Sequence, residues 1–155
     1  MARACLFAYG AVTTWFSHYD RSRPRFRVHL GDGEVVPDGY FAIIEESDPY
    51  TFFGPRPFCV APGTTPHTGL SAVVLRDLSA ATLVGAAVAA LAGGRRLEGM
   101  ACVAVKTGLA SVRVEGLGPF PWQVDGDFMG EVDSLDITHR PDCLDLVLPV
   151  AAADQ

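Results

Sequence analysis

Two aspartates separated by a glycine are the residues of this sequence whose types and spacing best suit acid–base chemistry. Asp125 and Asp127 follow an apolar segment that runs from Phe120 to Val124, and no Lys or Arg is next to them. Carboxylates held at the tip of a loop can exchange protons with a bound hydroxyl group. The same spacing also has a structural interpretation, because Asp-Gly between apolar runs is among the strongest short-range signals for a β-hairpin turn. By spacing alone, the turn is the more common outcome.

His67 is a weaker candidate for proton transfer. It lies in the loop from Pro62 to Gly69, and an imidazole with an ordinary pKa of about 6.5 suits that role. A lone histidine on a loop is more often a surface residue. The four cysteines are far apart, and neither they nor the histidines have the spacing of metal ligands. We therefore expect reduced, largely buried thiols and no metal site.

The composition limits the class of protein. A length of 155 residues fits a single domain that buries enough surface to fold alone. The net charge of −6 argues against nucleic acid as the main partner, since phosphate binding requires clustered Lys and Arg. No window reaches the roughly 18 apolar residues of a membrane span, and the start of the chain does not fit a signal peptide. We therefore expect a cytoplasmic protein without a transmembrane segment.

The elements that would position the two aspartates are mostly short strands. Apolar residues alternate with polar ones from Arg25 to Leu30, which predicts a half-buried strand. Further strands are predicted at residues 34–36, 40–46, 58–61, 70–75, 100–107, 109–115, 135–137 and 144–148, and on both sides of the Asp-Gly-Asp turn between Pro119 and Glu131. The segment from Ser47 to Pro57 holds three prolines and three aromatic residues, so we expect an ordered loop without regular structure.

Two helices complete the prediction. An Ala-rich helix should begin after Ser79, which can cap it, and end before Gly93. An aromatic helix is predicted over residues 3–18 from apolar residues that recur every three and four positions. The order of elements indicates a mainly β fold, an antiparallel β-sandwich with the N-terminal helix and the Ala-rich helix packed at its edge.

The Asp-Gly-Asp turn and the segment from Leu135 to Pro149 behind it resemble the end of the bacterial diacylglycerol kinase family. These lipid kinases are distantly related to NAD kinases. In that family a Val-Asp-Gly-Glu turn near the C-terminus supplies an acid proposed as the general base on the lipid hydroxyl. Asp127 stands where the family usually has Glu. The resemblance runs from Tyr40 to Pro149 and covers only the family's C-terminal half. It implies that this chain has the fold of the family's C-terminal domain.

The resemblance implies roles for particular residues. Asp127 would be the general base and Asp125 its electrostatic and positioning partner. Aromatic and apolar side chains would form the lipid cleft and its rim: Trp122, Phe128 and Met129 on the hairpin, and Phe52 and Phe53 on the proline-rich segment. The family often has Asn where this chain has Glu45 or Glu46.

One loop departs from the family pattern. Many members have acids there that order the site and in some cases bind a structural Mg²⁺, whereas this chain reads His67-Thr-Gly-Leu-Ser-Ala-Val73. His67 takes the place of the first acid, and Ser71 or Ala72 that of the last. Mg²⁺ prefers oxygen ligands, and with these carboxylates lost we expect no such metal site in this chain.

The nucleotide-binding part of the family is not found in these residues. Members hold ATP with a Gly-Gly-Asp-Gly-Thr motif on an N-terminal domain, and the 155 residues contain no such stretch. We therefore expect residues 21–155 to be the lipid-kinase C-terminal domain and residues 1–20 to link it to a nucleotide-binding domain. ATP and Mg²⁺ would be cofactors only when such a domain, in cis or in trans, completes the enzyme.

The expected partners are a lipid such as diacylglycerol, the nucleotide-binding domain, and a second copy of the chain docked through the apolar N-terminal helix. Binding of such a lipid would bring the protein into transient contact with the inner face of the membrane.

Two alternatives to the kinase hypothesis stay open at this point. The chain could be a non-catalytic lipid- or partner-binding module, or the remnant of a truncated kinase gene.

Overall fold

Antiparallel strands form most of the structure, a computed structural model that describes residues 22–141. The strands are β1 (Phe26–Leu30), β2 (Val35–Gly39), β3 (Phe41–Glu45), β4 (Thr51–Phe53), β5 (Arg56–Phe58), β6 (Leu70–Leu75), β7 (Val103–Leu109), β8 (Ser111–Val124) and β9 (Asp127–Thr138). Helix α1 spans Ala80–Leu91, and a short 3-10 helix spans Leu97–Gly99. Every strand pairing is antiparallel, which confirms the prediction of a mainly β fold with antiparallel sheets.

A four-stranded sheet in the order β2-β1-β8-β9 carries the long hairpin. Its strand β1 has the predicted alternation, with Phe26, Val28 and Leu30 buried and Arg27 exposed. Strand β8 joins two stretches that were predicted separately, the strand at residues 109–115 and the approach to the hairpin turn from Pro119. It continues past Glu115 as one 14-residue strand, and register shifts occur where it passes its prolines. The ring of Phe120 packs 5.6 Å from that of Phe26, so the long strand stays attached to the core up to the start of the hairpin arm.

A three-stranded sheet in the order β3-β6-β7 lies between two hydrophobic clusters. All six residues of β6 are buried. Ala72 and Val74 belong to the cluster shared with the four-stranded sheet, while Val73 and Leu75 belong to the cluster shared with α1. Successive side chains of a strand point to opposite faces, so a strand covered on both faces needs a continuous apolar sequence. This layering fixes β3, and with it the residues that follow β3.

Helix α1 begins as predicted. The Ser79 side chain accepts a hydrogen bond from the backbone N–H of Thr82, which satisfies one of the free donors at the helix start. Asp77 accepts hydrogen bonds from the hydroxyls of Ser79 and Thr82, and these contacts hold the pKa of Asp77 below its ordinary value. Ala89 and Ala90 pack against the three-stranded sheet in the second cluster.

The segment from Ser47 to Pro57 corrects one prediction. It was expected to lack regular structure, but β4 and β5 pair there as a two-stranded antiparallel hairpin. Both strands of such a pair are edge strands, so Pro57, which lacks an N–H, can pair with Phe52 without breaking a ladder. Gly54 has φ +60, which lets the chain turn between the two strands.

Some predictions fall outside the described residues. These are the helix over residues 3–18, the last strand at 144–148, and therefore the division of the chain at residue 20. Within residues 22–141, no helix has the length and apolar character required to cross a membrane.

Candidate functional site

The Asp-Gly-Asp sequence forms the tight turn of the β8–β9 hairpin. Asp125 has φ 50 and Gly126 has φ 93, and two successive positive φ angles are the mark of a type I′ turn. Val124 and Asp127 pair directly on either side of the turn. The structural interpretation of this spacing is therefore confirmed, and a possible chemical role depends on what the tip faces.

The tip faces a cleft. Asp125 lines a partly open cavity of about 230 Å³ together with residues from the end of β3 and the segment after it: Ile44, Glu45, Glu46, Ser47 and Tyr50. Three of the six lining residues are acids, and none is Lys, Arg or His. The hairpin tip and the proline-rich segment, which are far apart in sequence, thus meet at one acidic cleft.

Glu45 is the buried acid of this cleft. It is the last residue of β3 and only 8% exposed. Neither of its carboxylate oxygens has a hydrogen-bond partner among the described residues. Buried polar groups are nearly always hydrogen-bonded, so a buried carboxyl with two unpaired oxygens, on a residue that lines a cavity, is an uncommon feature of a folded chain.

Burial and a neighbouring acid change the proton affinity of Glu45. Removal from water raises its pKa to about 7 from the ordinary 4.5, and the charge of Asp48 adds to the rise. The backbone N–H of Ala61 offsets part of the rise without reaching hydrogen-bonding geometry. Glu45 is therefore about half ionised at neutral pH, the condition in which a carboxyl can both accept and release protons.

The residue paired with Glu45 on the neighbouring strand carries a hydroxyl group, which bonds to a second hydroxyl on the loop before that strand. Ser71 is paired with Glu45 in the sheet, and its hydroxyl is 2.6 Å from that of Thr64. The Thr64 hydroxyl donates to the carbonyl of Ala61 at 2.7 Å, so Ser71 must be the donor to Thr64. The proton of Ser71 is thus already used, which explains why this neighbour does not satisfy the Glu45 carboxyl.

Asp48 anchors the segment that forms the cleft wall. Its backbone N–H donates to the carbonyl of Thr64 at 3.0 Å, and its Oδ2 accepts from the backbone N–H of Gly63 at 3.3 Å. Its Oδ1 is buried and has no partner among the described residues. Asp48 therefore ties the wall to the loop before β6 and keeps a negative charge close to Glu45.

Two further groups respond to this negative charge. The pKa of Tyr50 is raised by burial and by the charges of Glu45 and Asp125. The pKa of the Cys59 thiol is raised by burial and by the nearby Asp48 and Glu45. The acids therefore act as one electrostatic cluster that keeps the phenol and the thiol in their protonated forms.

Exposed apolar side chains follow the cleft-lining residues in sequence on both segments that form the cleft. Phe52 and Phe53, on β4 just after Tyr50, are 62% and 56% exposed. Phe128 and Met129, just after the hairpin turn, are 71% and 53% exposed. Large apolar side chains that cluster around a concave site are typical of a surface that meets an apolar ligand or a membrane.

The remaining predicted site residues lie at varying distances from the cleft. Asp127 is exposed at the start of β9 and is not among the residues that line the cavity. It shares a face of the hairpin with its partner Val124, while Phe128 shares the opposite face with Gln123. Trp122 is half-buried, and its indole N–H has no partner among the described residues.

His67 is exposed on the loop before β6 and is not part of the cleft lining. Across residues 22–141, no group of three or more His, Cys, Asp or Glu side chains is close enough together to hold a metal ion.

Glu45 was not predicted as a site residue from the sequence. The resemblance marked only that the family often has Asn at this position or the next. The signal was present, because an acid ends a strand that is otherwise apolar. Nothing local, however, distinguishes Glu45 from Glu46, which is exposed. The difference arises from pairing with Ser71 and from the wall anchored by Asp48.

A second, more basic cleft lies on the four-stranded sheet. It has a volume of about 390 Å³ and is lined by Arg23, Pro24 and Arg25 before β1 and by residues 117–119 of β8. It lies close in sequence to residues outside the described range. The two clefts differ in charge, and only the acidic one contains the hairpin tip.

The chain matches no known family model, and no curated protein matches it significantly.

Proposed function

We propose that this chain is the substrate-side domain of an ATP-dependent, diacylglycerol-type lipid kinase. The observation that carries the proposal is the meeting of Asp125 with Glu45 and Tyr50 in one cleft. The resemblance in sequence implied an acidic turn and an aromatic rim, which are separated by about seventy residues, and the two adjoin in space. An acidic cleft with an apolar border suits a lipid whose hydroxyl enters the cleft while its chains remain outside.

The chain's own residues would perform the lipid-side steps. The resemblance assigns Asp127, two residues after the cleft-lining Asp125, as the general base on the acceptor hydroxyl, and Asp125 as the group that positions that hydroxyl. Phe52, Phe53 and Phe128 would contact the acyl chains, and these contacts would bring the domain to the membrane surface for each reaction. A nucleotide-binding domain would supply ATP, Mg²⁺ and the positive charge that phosphoryl transfer requires.

The proposal includes a specific architecture. The four-stranded and three-stranded sheets share one hydrophobic cluster, as the two sheets of a β-sandwich do. We assign this arrangement to the C-terminal domain of the NAD kinase-like fold, in which the nucleotide-binding domain would complete the cleft.

The test is a phosphorylation assay on the full chain fused behind the ATP-binding domain of a bacterial diacylglycerol kinase. We expect Asp127→Asn to lower turnover by at least about a hundredfold, as removal of a general base does, and Asp125→Asn to lower it less. Asp133→Asn, on the same strand and exposed, is the matched control and should be without effect. Full activity of Asp127→Asn would remove this residue from the mechanism. Full activity of both Asp127→Asn and Asp125→Asn, or no activity in any fusion, would refute the proposed function.

A non-catalytic lipid-binding module is the second candidate. It is favoured by the lack of Lys, Arg and His among the residues that line the acidic cleft, since a kinase site needs cations near the transferred phosphoryl group. This candidate predicts that diacylglycerol binds to the chain equally well with and without ATP and a nucleotide-binding domain. Titration calorimetry against diacylglycerol micelles that shows no binding would contradict it.

A further inference from the structure

The cleft contains a carboxyl group that the fold leaves without a partner. Glu45 is more than nine-tenths buried, lines the cavity, and has two oxygens that accept no hydrogen bond from any described residue. The nearest hydroxyl on the adjacent strand, that of Ser71, is already committed to Thr64. Leaving a buried acceptor without a hydrogen bond destabilises the fold, and a charged group more than a neutral one. A ligand that donates a hydrogen bond here would remove this destabilisation.

The surrounding charges determine which charge a ligand of this cleft should carry. Glu46 and Asp125 line the same cleft, and Asp48 is close enough to Glu45 to raise its pKa. The charge of Glu45 also raises the pKa values of two other groups, the phenol of Tyr50 and the thiol of Cys59. Both groups are neutral when protonated. A neutral ligand would leave the repulsion between the carboxylates in place, whereas a cation would relieve it.

The arrangement of the acids favours an organic cation over a metal ion. Mg²⁺ and Ca²⁺ require several oxygen ligands that converge within about 2.0–2.6 Å of one point. In the described part of the chain, no three acidic, histidine or cysteine side chains come together in this way. An ammonium group has less strict geometry, because its donors can reach carboxylates that are spread around a cleft.

We propose that this cleft binds ligands through a primary ammonium group, which donates a hydrogen bond to the buried carboxylate of Glu45 and lies between Glu46 and Asp125. The cavity of about 230 Å³ accommodates a compact amino-alcohol headgroup. Tyr50 provides an aromatic face at the cleft wall. The inference rests on the proposed function only where it extends the lipid class from diacylglycerol to acceptors that carry an amine beside the hydroxyl. Binding of the ammonium group itself does not depend on phosphoryl transfer.

Proton linkage gives the binding a distinct signature. A carboxyl with a pKa of about 7 is mostly protonated at pH 6 and mostly ionised at pH 8. The ammonium group prefers the ionised form, so its affinity should rise about tenfold between these two pH values. Glu45→Gln keeps the shape of the side chain and removes the titration. It should therefore bind at least tenfold more weakly at pH 8 and lose the pH dependence.

The experiment is titration calorimetry of the full chain at low ionic strength with four probes. They are ethanolamine, a micellar long-chain amino alcohol, choline, which lacks N–H donors, and glycerol, which lacks the charge. Ethanolamine should bind at least tenfold more tightly than choline and glycerol. Tighter binding of the long-chain probe would identify a lipid as the source of the amine, and equal binding would identify a soluble amine. Either result supports the proposal.

Two variants accompany the titration. Asp125→Asn should weaken ethanolamine binding by about threefold, the effect of losing one exposed charge. Glu98→Gln, which is exposed on the 3-10 helix, should change nothing. Equal binding of ethanolamine and choline, or unchanged binding in both Glu45→Gln and Asp125→Asn, would overturn the proposal. Absence of ethanolamine binding would also overturn it, while the phosphorylation assay with diacylglycerol would still decide the proposed function separately.

Discussion

Replacing Glu45 with Gln should change how the stability of the protein depends on pH. The folded chain holds the Glu45 proton more tightly than the unfolded chain, since burial raises the pKa of this group to about 7 from 4.5. A raised pKa on an acid favours the fold at low pH. The contribution of Glu45 to stability is therefore full below about pH 4.5, declines as pH rises through about 7, and is lowest above that.

The size of the effect follows from the two pKa values. Each tenfold change in proton affinity corresponds to roughly 1.36 kcal/mol, so the full decline amounts to about 3 kcal/mol. Between pH 5.5 and pH 8, a range in which the protein can be handled, the decline is about 2 kcal/mol. Gln carries no charge at either pH. The difference in unfolding free energy between the variant and the natural chain should therefore shift by about 2 kcal/mol in favour of the variant over this range.

The assay is urea unfolding at both pH values, followed by tryptophan fluorescence. Glu46→Gln is the matched control because its side chain is exposed at the adjacent position, and its difference from the natural chain should shift by less than about 0.5 kcal/mol. Each variant is compared with the natural chain at the same pH, so the contributions of all other titrating groups to the free energy of unfolding cancel. A shift below about 0.5 kcal/mol for Glu45→Gln would show that the carboxyl is solvated, and would refute the description of Glu45 as a buried, unpartnered acid.

Three further predictions concern the scaffold, each read from the free energy of unfolding in urea. Leu97→Ala should cost about 2–5 kcal/mol because Leu97 is fully buried in the second cluster, whereas Leu117→Ala, at an exposed position, should cost less than about 0.5 kcal/mol. Gly116→Ala should cost about 1–3 kcal/mol, since an added Cβ would meet backbone carbonyl oxygens, one of them at 2.9 Å, while Gly99→Ala meets nothing within 4 Å. Ser79→Ala should cost about 1 kcal/mol through loss of the helix cap, and an unchanged stability would contradict the capping hydrogen bond.

Local sequence pattern was sufficient for elements whose environment follows from their own residues. The alternation in β1 predicted its burial on one face, and the strand at residues 70–75 was predicted in place, although its burial on both faces was not. Asp125-Gly126 predicted the hairpin turn because few residues other than Gly, Asn and Asp adopt positive φ readily.

Features that depend on tertiary contacts could not be predicted in this way. The β4–β5 hairpin contains two prolines, which argue against strands in general but not against a two-stranded pair made only of edges. The joining of the two predicted segments, 109–115 and 119–124, into the single strand β8 depends on pairing with β9. The contrast between Glu45 and Glu46 depends on residues about fifteen and more positions away, including Ala61 and Ser71.

The most direct test of the central claim, that the acidic cleft at the hairpin tip is the ligand site, is a map of ligand contacts on the protein. We would titrate the isotope-labelled full chain with dihexanoylglycerol and follow the backbone amide signals by nuclear magnetic resonance. The account predicts shifts that concentrate on residues 44–50 and 124–128, on the two sides of the cleft. Shifts confined to the basic cleft around Arg25 and Leu117, or no shifts at saturating lipid, would contradict it.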